Sequence, residues 1–202
     1  MTKNFWDRNA RRYNRFMRKD AAAYGQLYAL LRPIVNGKHV LELAAGTGLI
    51  SKNIQDCAAD IDVTDASAEM IAEACRDNTA ANLHFSVQDM THLSYPDGCF
   101  DVVIAANVLH ILPAPEQALR EIRRVLKEDG ILVAPTFTHG DNTQKGKIKA
   151  FFMKLTGFPL RRKWTKEAYL AFLGENGWTV ENQATLNASF PMTYAECKKS
   201  KQ

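Results

Sequence analysis

The sequence predicts an α/β protein whose core is a doubly wound, mostly parallel sheet of seven strands. First, short apolar runs alternate with helical patterns from about residue 38 onwards, which is typical of parallel strands joined by right-handed crossovers. Second, VLELAAGTGLIS (residues 40–51) has the pattern of a buried strand that passes through a glycine turn into a helix. Third, the last two strand-like segments have no helix between them, which predicts an antiparallel C-terminal hairpin strand at the sheet edge.

The individual elements follow from hydrophobic periodicity and from turn residues. Residues 4–36 carry apolar residues at near-helical spacing and predict a helix, with Gly25 as a candidate break. Strands are predicted at 39–44, 60–65, 83–87, 100–106, 131–136, 180–188 and 192–198. Helices are predicted at 48–56, 67–78, 115–126, 145–156 and 165–176. Ser67 is the predicted N-cap of its helix, and residues 128–130 (EDG) are predicted to form a turn.

Composition favours an ordinary globular protein. Hydrophobic residues make up 46% of the 202 residues and charged residues 24%, and the net charge is +4. The uncharged run of residues 102–115 is too short for a transmembrane helix, and the N-terminus shows no apolar leader. Four cysteines have neither a close pair nor zinc-ligand spacing, so we expect reduced thiols and a cytoplasmic location.

Basic residues are unevenly distributed. One cluster lies in the first twenty residues: Lys3, Arg8, Arg11, Arg12, Arg15, Arg18 and Lys19. Residues 145–166 contain eight further lysines or arginines and no acid. A solvated surface is one interpretation of both clusters. The other is that they flank the entrance for an acidic or membrane-associated substrate.

Polar residues follow the carboxyl ends of successive predicted strands, where open α/β sheets bind ligands. They are Glu42 with the turn of residues 44–48, Asp65, Gln88 with Asp89 and Met90, Asn107 with His110, and Thr138 with His139. Glycines in the turn allow close approach of the backbone to a ligand. Asp65 lies 19 residues after Gly46, the usual distance for an acid that binds a ribose. The set predicts a nucleoside cofactor.

Four segments carry a resemblance to a known family: ELAAGTG, VTDASAEMIAEA, SVQDMTHLSYPDGCFDVVIAANVLHIL and ALREIRRVLKEDGILV. The chain resembles the class I S-adenosylmethionine-dependent methyltransferases, of the small UbiE-like or methyltransferase-domain type. The likeness covers roughly residues 38–136 and is weak beyond about 140. Ala44 replaces the first glycine of the family's loop, which adds one methyl group near the methionine part of the cofactor.

The resemblance implies S-adenosylmethionine as cofactor, with S-adenosylhomocysteine as product, and it assigns site residues. Asp65 accepts both ribose hydroxyls, and Asp89 accepts the adenine amino group. The adenine pocket is lined by Ala66, Met70 and Met90, with Gln88 beside them.

The same resemblance assigns the methionine end of the cofactor. The backbone of Gly46, Thr47 and Gly48 lies against the amino-acid part, and Glu42 orients that loop. Asn107 holds the methionine moiety through its backbone. Tyr13, on the N-terminal helix, closes over the cofactor, although an ordinary apolar-face role is the alternative.

These assignments divide one methyltransferase domain, residues 1–202, into four parts. They are a helical lid (1–36), a cofactor-binding core (37–139), a helical cap on the acceptor side (140–178) and a closing hairpin (179–202).

Methyl transfer is an in-line displacement on a sulfonium, so the protein mainly positions the reactants and supplies a base when the nucleophile carries a proton. His110 is the candidate general base, and a structural role at a helix start is the alternative. His139 is a weaker candidate. Asp141 and Asn142 resemble a magnesium-binding pair, but the fourth strand ends without the partner acid, so no metal is expected.

Two alternatives remain open at this stage. A glycine turn followed by a second-strand acid is also found in NAD(P)-dependent dehydrogenases, and Tyr194 and Lys198 have the spacing of a short-chain dehydrogenase pair. However, that pair falls in a predicted strand, and Ser51 stands where the third glycine would be. The second alternative is a non-catalytic protein that binds S-adenosylmethionine.

The methyl acceptor is the least defined part of the prediction. The segment after strand four lacks the Asn/Asp-Pro-Pro-aromatic motif of nucleic-acid amino methyltransferases, so nucleic acid is disfavoured and a small-molecule or lipid-like acceptor is expected. Residues 145–164 are amphipathic, with Phe151 and Phe152 on the apolar face. They predict a helix that caps the entrance, and docking on anionic lipid is the less favoured alternative.

Overall fold

The structure is a computed structural model that describes residues 5–138 and 160–201. Its strands are β1 (His39–Leu43), β2 (Asp60–Asp65), β3 (Leu83–Val87), β4 (Phe100–Ala105), β5 (Leu126–Val133), β6 (Thr136–Phe137), β7 (Trp178–Asn187) and β8 (Pro191–Lys199). They form one sheet in the order β3-β2-β1-β4-β5-β8-β6, with β7 paired to β8. Strands β1 to β5 are parallel, and β8 is antiparallel to its neighbours. The predicted doubly wound sheet with an antiparallel hairpin is confirmed.

The sheet has eight strands instead of the predicted seven because the fifth is interrupted. Ala134 and Pro135 separate β5 from β6, and proline has no N–H to donate to a neighbouring strand. The pairing with β8 nevertheless continues through the break: the Ala134 N–H donates to the Ala195 carbonyl at 2.9 Å. Strands β5 and β6 are therefore two parts of the one strand that the sequence pattern predicts.

The helices are α1 (Phe5–Met17), α2 (Ala21–Val35), α3 (Ser51–Ile54), α4 (Ala68–Cys75), α5 (Pro115–Val125) and α6 (Lys166–Glu175). Short 3-10 turns lie at Arg18–Asp20 and Leu109–Ile111. The predicted helix of residues 145–156 lies outside the described residues. None of the described helices is long and apolar enough to cross a bilayer.

The N-terminal helical region breaks at a different place from the one predicted. Gly25 lies inside α2, and the break is the 3-10 turn Arg18–Asp20. Asp20 is buried there, and its Oδ1 accepts hydrogen bonds from the Ser189 N–H and hydroxyl, both at 2.6 Å. The turn that joins β7 to β8 therefore anchors the junction between α1 and α2.

The predicted turn at residues 128–130 is wrong, since those residues belong to β5. Gly130 explains how the strand continues there: a Cβ at this position would lie 2.7 Å from Leu126 Cγ and 3.0 Å from the Asp101 carbonyl. The pairing of β4 with β5 shifts register at the same place, between Phe100 and Val102. Here glycine permits a close approach of two strands instead of a reversal.

The core lies on both faces of the sheet, as alternation along β1 requires. Leu41 and Leu43 face a cluster that includes α5 and α6, whereas Val40 faces a cluster that includes α2. Tyr169 of α6 is buried, and its hydroxyl donates to the Ala134 carbonyl at 2.7 Å. Helix α6 therefore packs on the sheet, although the sequence pattern assigned it to the acceptor-side cap.

Candidate cofactor site

The carboxyl ends of β1, β2, β3 and β4 surround a cavity of about 160 Å³, with α1 on its open side. Its lining residues are Trp6, Tyr13, Ala44, Gly46, Asp65, Ala66, Met70, Gln88, Asp89, Met90, Ala106, Asn107, Val108, Ile111 and Leu112. A parallel sheet places these strand ends at one edge, and binding at this edge is the general rule for such folds.

The loop after β1 is tightly wound. Ala44 has φ +50° and Gly46 φ +58°, a left-handed backbone that alanine adopts only at a cost. A Cβ built on Gly46 would lie 3.5 Å from Cε1 of Tyr13, so glycine leaves the space between the loop and α1 open. The loop is thus shaped for close approach of a ligand.

Asp65, at the end of β2, is held by the backbone on both carboxylate oxygens. The Gly46 N–H donates to Oδ2 and the Ser67 N–H donates to Oδ1, both at 2.8 Å. Burial raises the pKa of Asp65, these two hydrogen bonds oppose the rise, and Asp7 adds to it. Each oxygen keeps a further lone pair that can accept a ligand hydroxyl.

Glu42 does not line the cavity but supports the loop after β1 from its buried side. It is buried in β1, and its Oε2 accepts hydrogen bonds from the Ser51 N–H at 3.0 Å and from the Ser51 hydroxyl. Burial raises the pKa of Glu42 to about 7, against the effect of the two Ser51 bonds and with a further rise from Asp65. The side chain therefore ties β1 to the start of α3 across the whole loop.

Asp89, after β3, is held differently. It is exposed, and its Oδ1 accepts hydrogen bonds from the Thr91 N–H at 2.9 Å and from the Thr91 hydroxyl at 2.7 Å. These bonds lower the pKa of Asp89. A fully ionised carboxylate therefore sits beside Met90, which is buried and also lines the cavity.

Helix α1 covers the cavity with two aromatic side chains, Trp6 and Tyr13, whose ring centroids are 6.4 Å apart. Two polar contacts hold the helix in place. The Ser67 hydroxyl donates to Asp7 Oδ1, and the Thr47 hydroxyl donates to Asn14 Oδ1, both at 2.5 Å. Burial raises the pKa of Tyr13 to about 12, with smaller contributions from the nearby carboxylates.

Asn107 follows β4 with φ +53°, a second left-handed residue in the cavity wall. Its N–H donates to the Pro135 carbonyl at 2.7 Å, and its Nδ2 donates to the Tyr24 hydroxyl at 3.1 Å. Its Oδ1 is buried and accepts no hydrogen bond from the described part of the chain. A buried acceptor without a donor indicates a place for a ligand donor.

Known proteins with similar sequences include methyltransferases. The sequence matches the family described as "Methyltransferase domain" over residues 41–134. It is 35% identical over 105 residues to the demethylmenaquinone methyltransferase of Renibacterium salmoninarum, which covers 52% of this chain and 44% of that protein. It is 29% identical over 152 residues to the ubiquinone/menaquinone biosynthesis C-methyltransferase UbiE of Azotobacter vinelandii, covering 70% of this chain and 60% of that protein.

The fold also superposes on a methyltransferase chain solved in complex with the Haloferax volcanii Trm112 methyltransferase activator. The TM-score is 0.83 at 16% identity, over the whole of both chains, which is a likeness of fold. Residues 41–134 of the chain therefore carry a methyltransferase domain, and the fold is that of the class I S-adenosylmethionine-dependent methyltransferases. The chain spans about half the length of the first curated relatives that it matches.

S-adenosylmethionine is the cofactor of this methyltransferase family, and the residues present fit it. Asp65 and Asp89 provide anionic acceptors at two separate positions of the cavity. The unpaired Oδ1 of Asn107 provides a third acceptor, and the absence of a side chain at Gly46 leaves space beneath Tyr13. A molecule that carries ribose hydroxyls, an adenine amino group and an ammonium group supplies donors to such a set.

Ten of the thirteen cofactor-binding residues predicted for the methyltransferase lie in the cavity wall. They are Tyr13, Ala44, Gly46, Asp65, Ala66, Met70, Gln88, Asp89, Met90 and Asn107. The other three, Glu42, Thr47 and Gly48, lie outside the wall. Thr47 contacts α1, and a Cβ on Gly48 would lie 3.5 Å from Cβ of Ala74 in α4, so these residues hold the loop against its neighbours.

Five lining residues were missed: Trp6, Ala106, Val108, Ile111 and Leu112. A sequence signal exists for Trp6 alone, because it precedes Tyr13 by seven residues and therefore lies on the same helix face. The apolar residues after β4 look like ordinary core residues in the sequence. Only the irregular path of the chain after Asn107 turns them towards the cavity.

His110 lies outside the cavity wall. It is 2% exposed, and its Nδ1 is 2.9 Å from the Thr136 hydroxyl. Its carbonyl accepts hydrogen bonds from the Arg161 and Arg162 N–H groups, so this residue joins the turn after β4 to the segment that precedes α6. Its role as a general base stays a prediction. His139, Asp141 and Asn142 lie outside the described residues.

The features shared with dehydrogenases are used differently here. Tyr194 is buried in β8, where its hydroxyl donates to Glu196 at 3.3 Å, and neither Tyr194 nor Lys198 lines the cavity. Ser51 bonds to Glu42. The tyrosine and lysine are thus part of a strand far along the chain from the glycine loop, and the dehydrogenase alternative has no support.

Proposed function

We propose that this protein transfers a methyl group from S-adenosylmethionine to a small, largely apolar acceptor of the aromatic or quinone-like kind. The observation that carries the proposal is the cavity at the strand ends, whose wall contains the carboxylates Asp65 and Asp89 together with Asn107, a residue with an unpaired, buried Oδ1. When bound, the cofactor supplies a methyl group attached to a positively charged sulfur. The sulfur departs as a neutral thioether when the acceptor takes the methyl group.

The chain's own residues position this group. Asp65 binds the ribose hydroxyls with the lone pairs that Gly46 and Ser67 leave free. Asp89 accepts from the adenine amino group, and Met70 and Met90 pack beside the base. Holding the ribose and the adenine fixes the nucleoside part of the cofactor and restricts the line along which the methyl group moves, and orientation of this kind contributes much of the rate in a displacement reaction.

The acceptor is proposed to enter along the apolar side of the cavity. Val108, Ile111 and Leu112 line that side after β4, and Trp6 lines it from α1. None of these side chains carries a charge, so they suit an aromatic or isoprenoid-like molecule better than a charged one. The names of the two relatives quoted above, demethylmenaquinone methyltransferase and UbiE, support an acceptor of that class.

Calorimetric titration with S-adenosylhomocysteine and, in parallel, with NADH tests the cofactor assignment. We expect one-to-one binding of S-adenosylhomocysteine, no binding of NADH, and loss of binding in Asp65→Ala. Glu181→Ala, which changes an exposed acid on β7, is the matched control and should bind like the wild type. Binding of NADH alone would overturn the proposal.

Transfer itself is tested with methyl-labelled S-adenosylmethionine and a panel of short-chain quinols. We expect label in the extracted quinol product and an equal amount of S-adenosylhomocysteine. A protein that binds the cofactor but yields no labelled product from quinols, carboxylic acids or amines would instead be a non-catalytic binder.

A further inference from the structure

Helix α1 has two faces of opposite character. Trp6, Ala10, Tyr13 and Met17 are spaced by four, three and four residues, which places them on one stripe towards the protein. Ala10 and Met17 are buried in it, and Trp6 and Tyr13 cover the cofactor cavity. This inner stripe fully explains why the helix packs where it does.

The outer face of α1 and the following turn is strongly basic. Its residues are Arg8, Arg11, Arg12, Arg15, Arg18 and Lys19, and all six are exposed. At about 100° per residue they fall within an arc of roughly 120°, centred opposite the inner stripe. None of the six forms an ion pair with a residue in 5–138 or 160–201.

The acids that would usually accompany such a helix are absent from the outer face. The one acid of α1, Asp7, lies on the flank where it accepts the Ser67 hydroxyl. A solvated surface helix normally mixes both signs, because glutamate–lysine pairs one turn apart stabilise it. Six cations without such partners repel one another and favour an external anionic partner.

A large apolar side chain borders this basic face. Phe16 is 60% exposed, and the Lys19 Nζ lies 3.8 Å from its ring centroid. Because the apolar stripe of α1 packs on the protein, the basic face would bind a membrane through its charges: anionic headgroups attract the cations, and the exposed ring at the edge adds apolar contact with the acyl boundary.

We propose that the outer face of α1 docks on a bilayer that contains anionic lipid. Headgroup phosphates pair with the arginines, and Phe16 inserts beside them. The same helix carries Trp6 and Tyr13 on its inner stripe, so docking brings the cofactor cavity next to the bilayer surface. The proposal concerns binding alone, and it stands independently of whether methyl transfer occurs.

A nucleic acid is the less suitable partner for this surface. Single-stranded nucleic acids are bound by aromatic rings that stack with bases inside a basic groove, whereas α1 is convex and its arc contains no exposed aromatic ring other than the flanking Phe16. A bilayer offers a flat anionic surface that matches a straight, protruding helix.

The test is co-sedimentation of the full chain with vesicles of phosphatidylcholine alone or mixed with phosphatidylglycerol. We expect binding to the mixed vesicles only, and its loss in about 0.5 M salt, because the attraction acts within a Debye length. A variant with Arg8, Arg11, Arg12 and Arg15 changed to Gln should partition at least roughly tenfold less, since each basic residue near the surface contributes substantially. Phe16→Ser should weaken binding further.

The matched control changes four exposed cations elsewhere, Lys38, Arg120, Lys198 and Lys201, to Gln. This control should sediment like the wild type. Unchanged affinity for S-adenosylhomocysteine in both variants would show that they are folded. Equal loss in both variants, failure of the wild type to bind mixed vesicles, or preference for single-stranded RNA over the vesicles would overturn the proposal.

Discussion

The two ends of the cofactor cavity hold their carboxylates in opposite ways. At the proposed ribose end, Asp65 is partly buried, bonded by two backbone N–H groups and shifted upwards in pKa by burial. At the proposed adenine end, Asp89 is exposed, bonded to Thr91 and shifted downwards in pKa. The two acids lie at the ends of neighbouring strands and line the same cavity.

The two acids therefore differ in what they support: Asp65 holds parts of the fold together, whereas Asp89 does not. The oxygens of Asp65 connect β2 to the glycine loop and to the start of α4, so its carboxylate is oriented before any ligand arrives. Asp89 has only its own turn to support it. Loss of the first should therefore disturb both the loop and the bound cofactor, whereas loss of the second should affect one hydrogen bond.

The largest expected effect is that of Asp65→Asn, compared with the same change at Asp89. In Asp65→Asn the amide nitrogen must face either the Gly46 or the Ser67 N–H, which leaves a buried donor unsatisfied and removes a charged acceptor. We expect S-adenosylhomocysteine to bind about 4 kcal/mol less well, roughly a thousandfold. Asp89→Asn should lose only about 1 kcal/mol, because solvent replaces the bond.

Calorimetry on the two amide variants measures the difference directly, with thermal unfolding as the control for folding. Asp89→Asn should melt like the wild type. If the two variants lost the same affinity, the contrast between the ends of the cavity would be wrong, and both acids would have to be treated as equivalent contacts.

The next largest effect concerns Glu42 beneath the ribose end. Its pKa is about 7 in the folded protein, above the ordinary value of 4.5, so the folded state holds this proton more tightly than the unfolded state. The resulting stability is present below about pH 4.5 and is lost as the pH rises through 7. This contribution to the free energy of unfolding is about 3 kcal/mol.

Glu42→Gln removes this titration while keeping an oxygen that can accept from Ser51. We expect the free energy of unfolding of the wild type, relative to the variant, to fall between pH 4.5 and 7. Urea unfolding at several pH values measures it. Glu181→Gln, at an exposed position, should follow the wild-type pH profile. A Glu42→Gln profile parallel to that of the wild type would contradict the burial argument.

Much of the fold and site was predictable because the signals are local. Alternating apolar strands and helices define the sheet, and parallel strands bring their carboxyl ends to one edge whatever lies between them. Asp65, Asp89 and Asn107 could therefore be assigned to one cavity from their positions after β2, β3 and β4. Ala44 and Gly46 follow from the glycine turn by the same reasoning.

What the sequence did not indicate depends on contacts between distant residues. The break before α2 rests on the bonds between Asp20 and Ser189, 169 residues apart. Residues 128–130 have the composition of a turn, yet they belong to β5, where its pairing with β4 shifts register and Gly130 lies against the Asp101 carbonyl. The support that Ser51 provides to Glu42 is equally invisible to any periodic pattern.

The smallest expected effect comes from Ala44, in the loop after β1 that Asp65 and Glu42 both support. Ala44 has a left-handed backbone at φ +50°, which costs alanine about 1 kcal/mol relative to glycine. Ala44→Gly relieves that strain but removes one partly buried methyl group worth somewhat less, so we expect the protein to gain about 0.5 kcal/mol of stability. The neighbouring Ala45 is buried and has no positive φ, so Ala45→Gly should instead cost about 1 kcal/mol. Urea unfolding of the two variants compares them, and an equal loss in both would show that the loop at the ribose end stores no strain at Ala44.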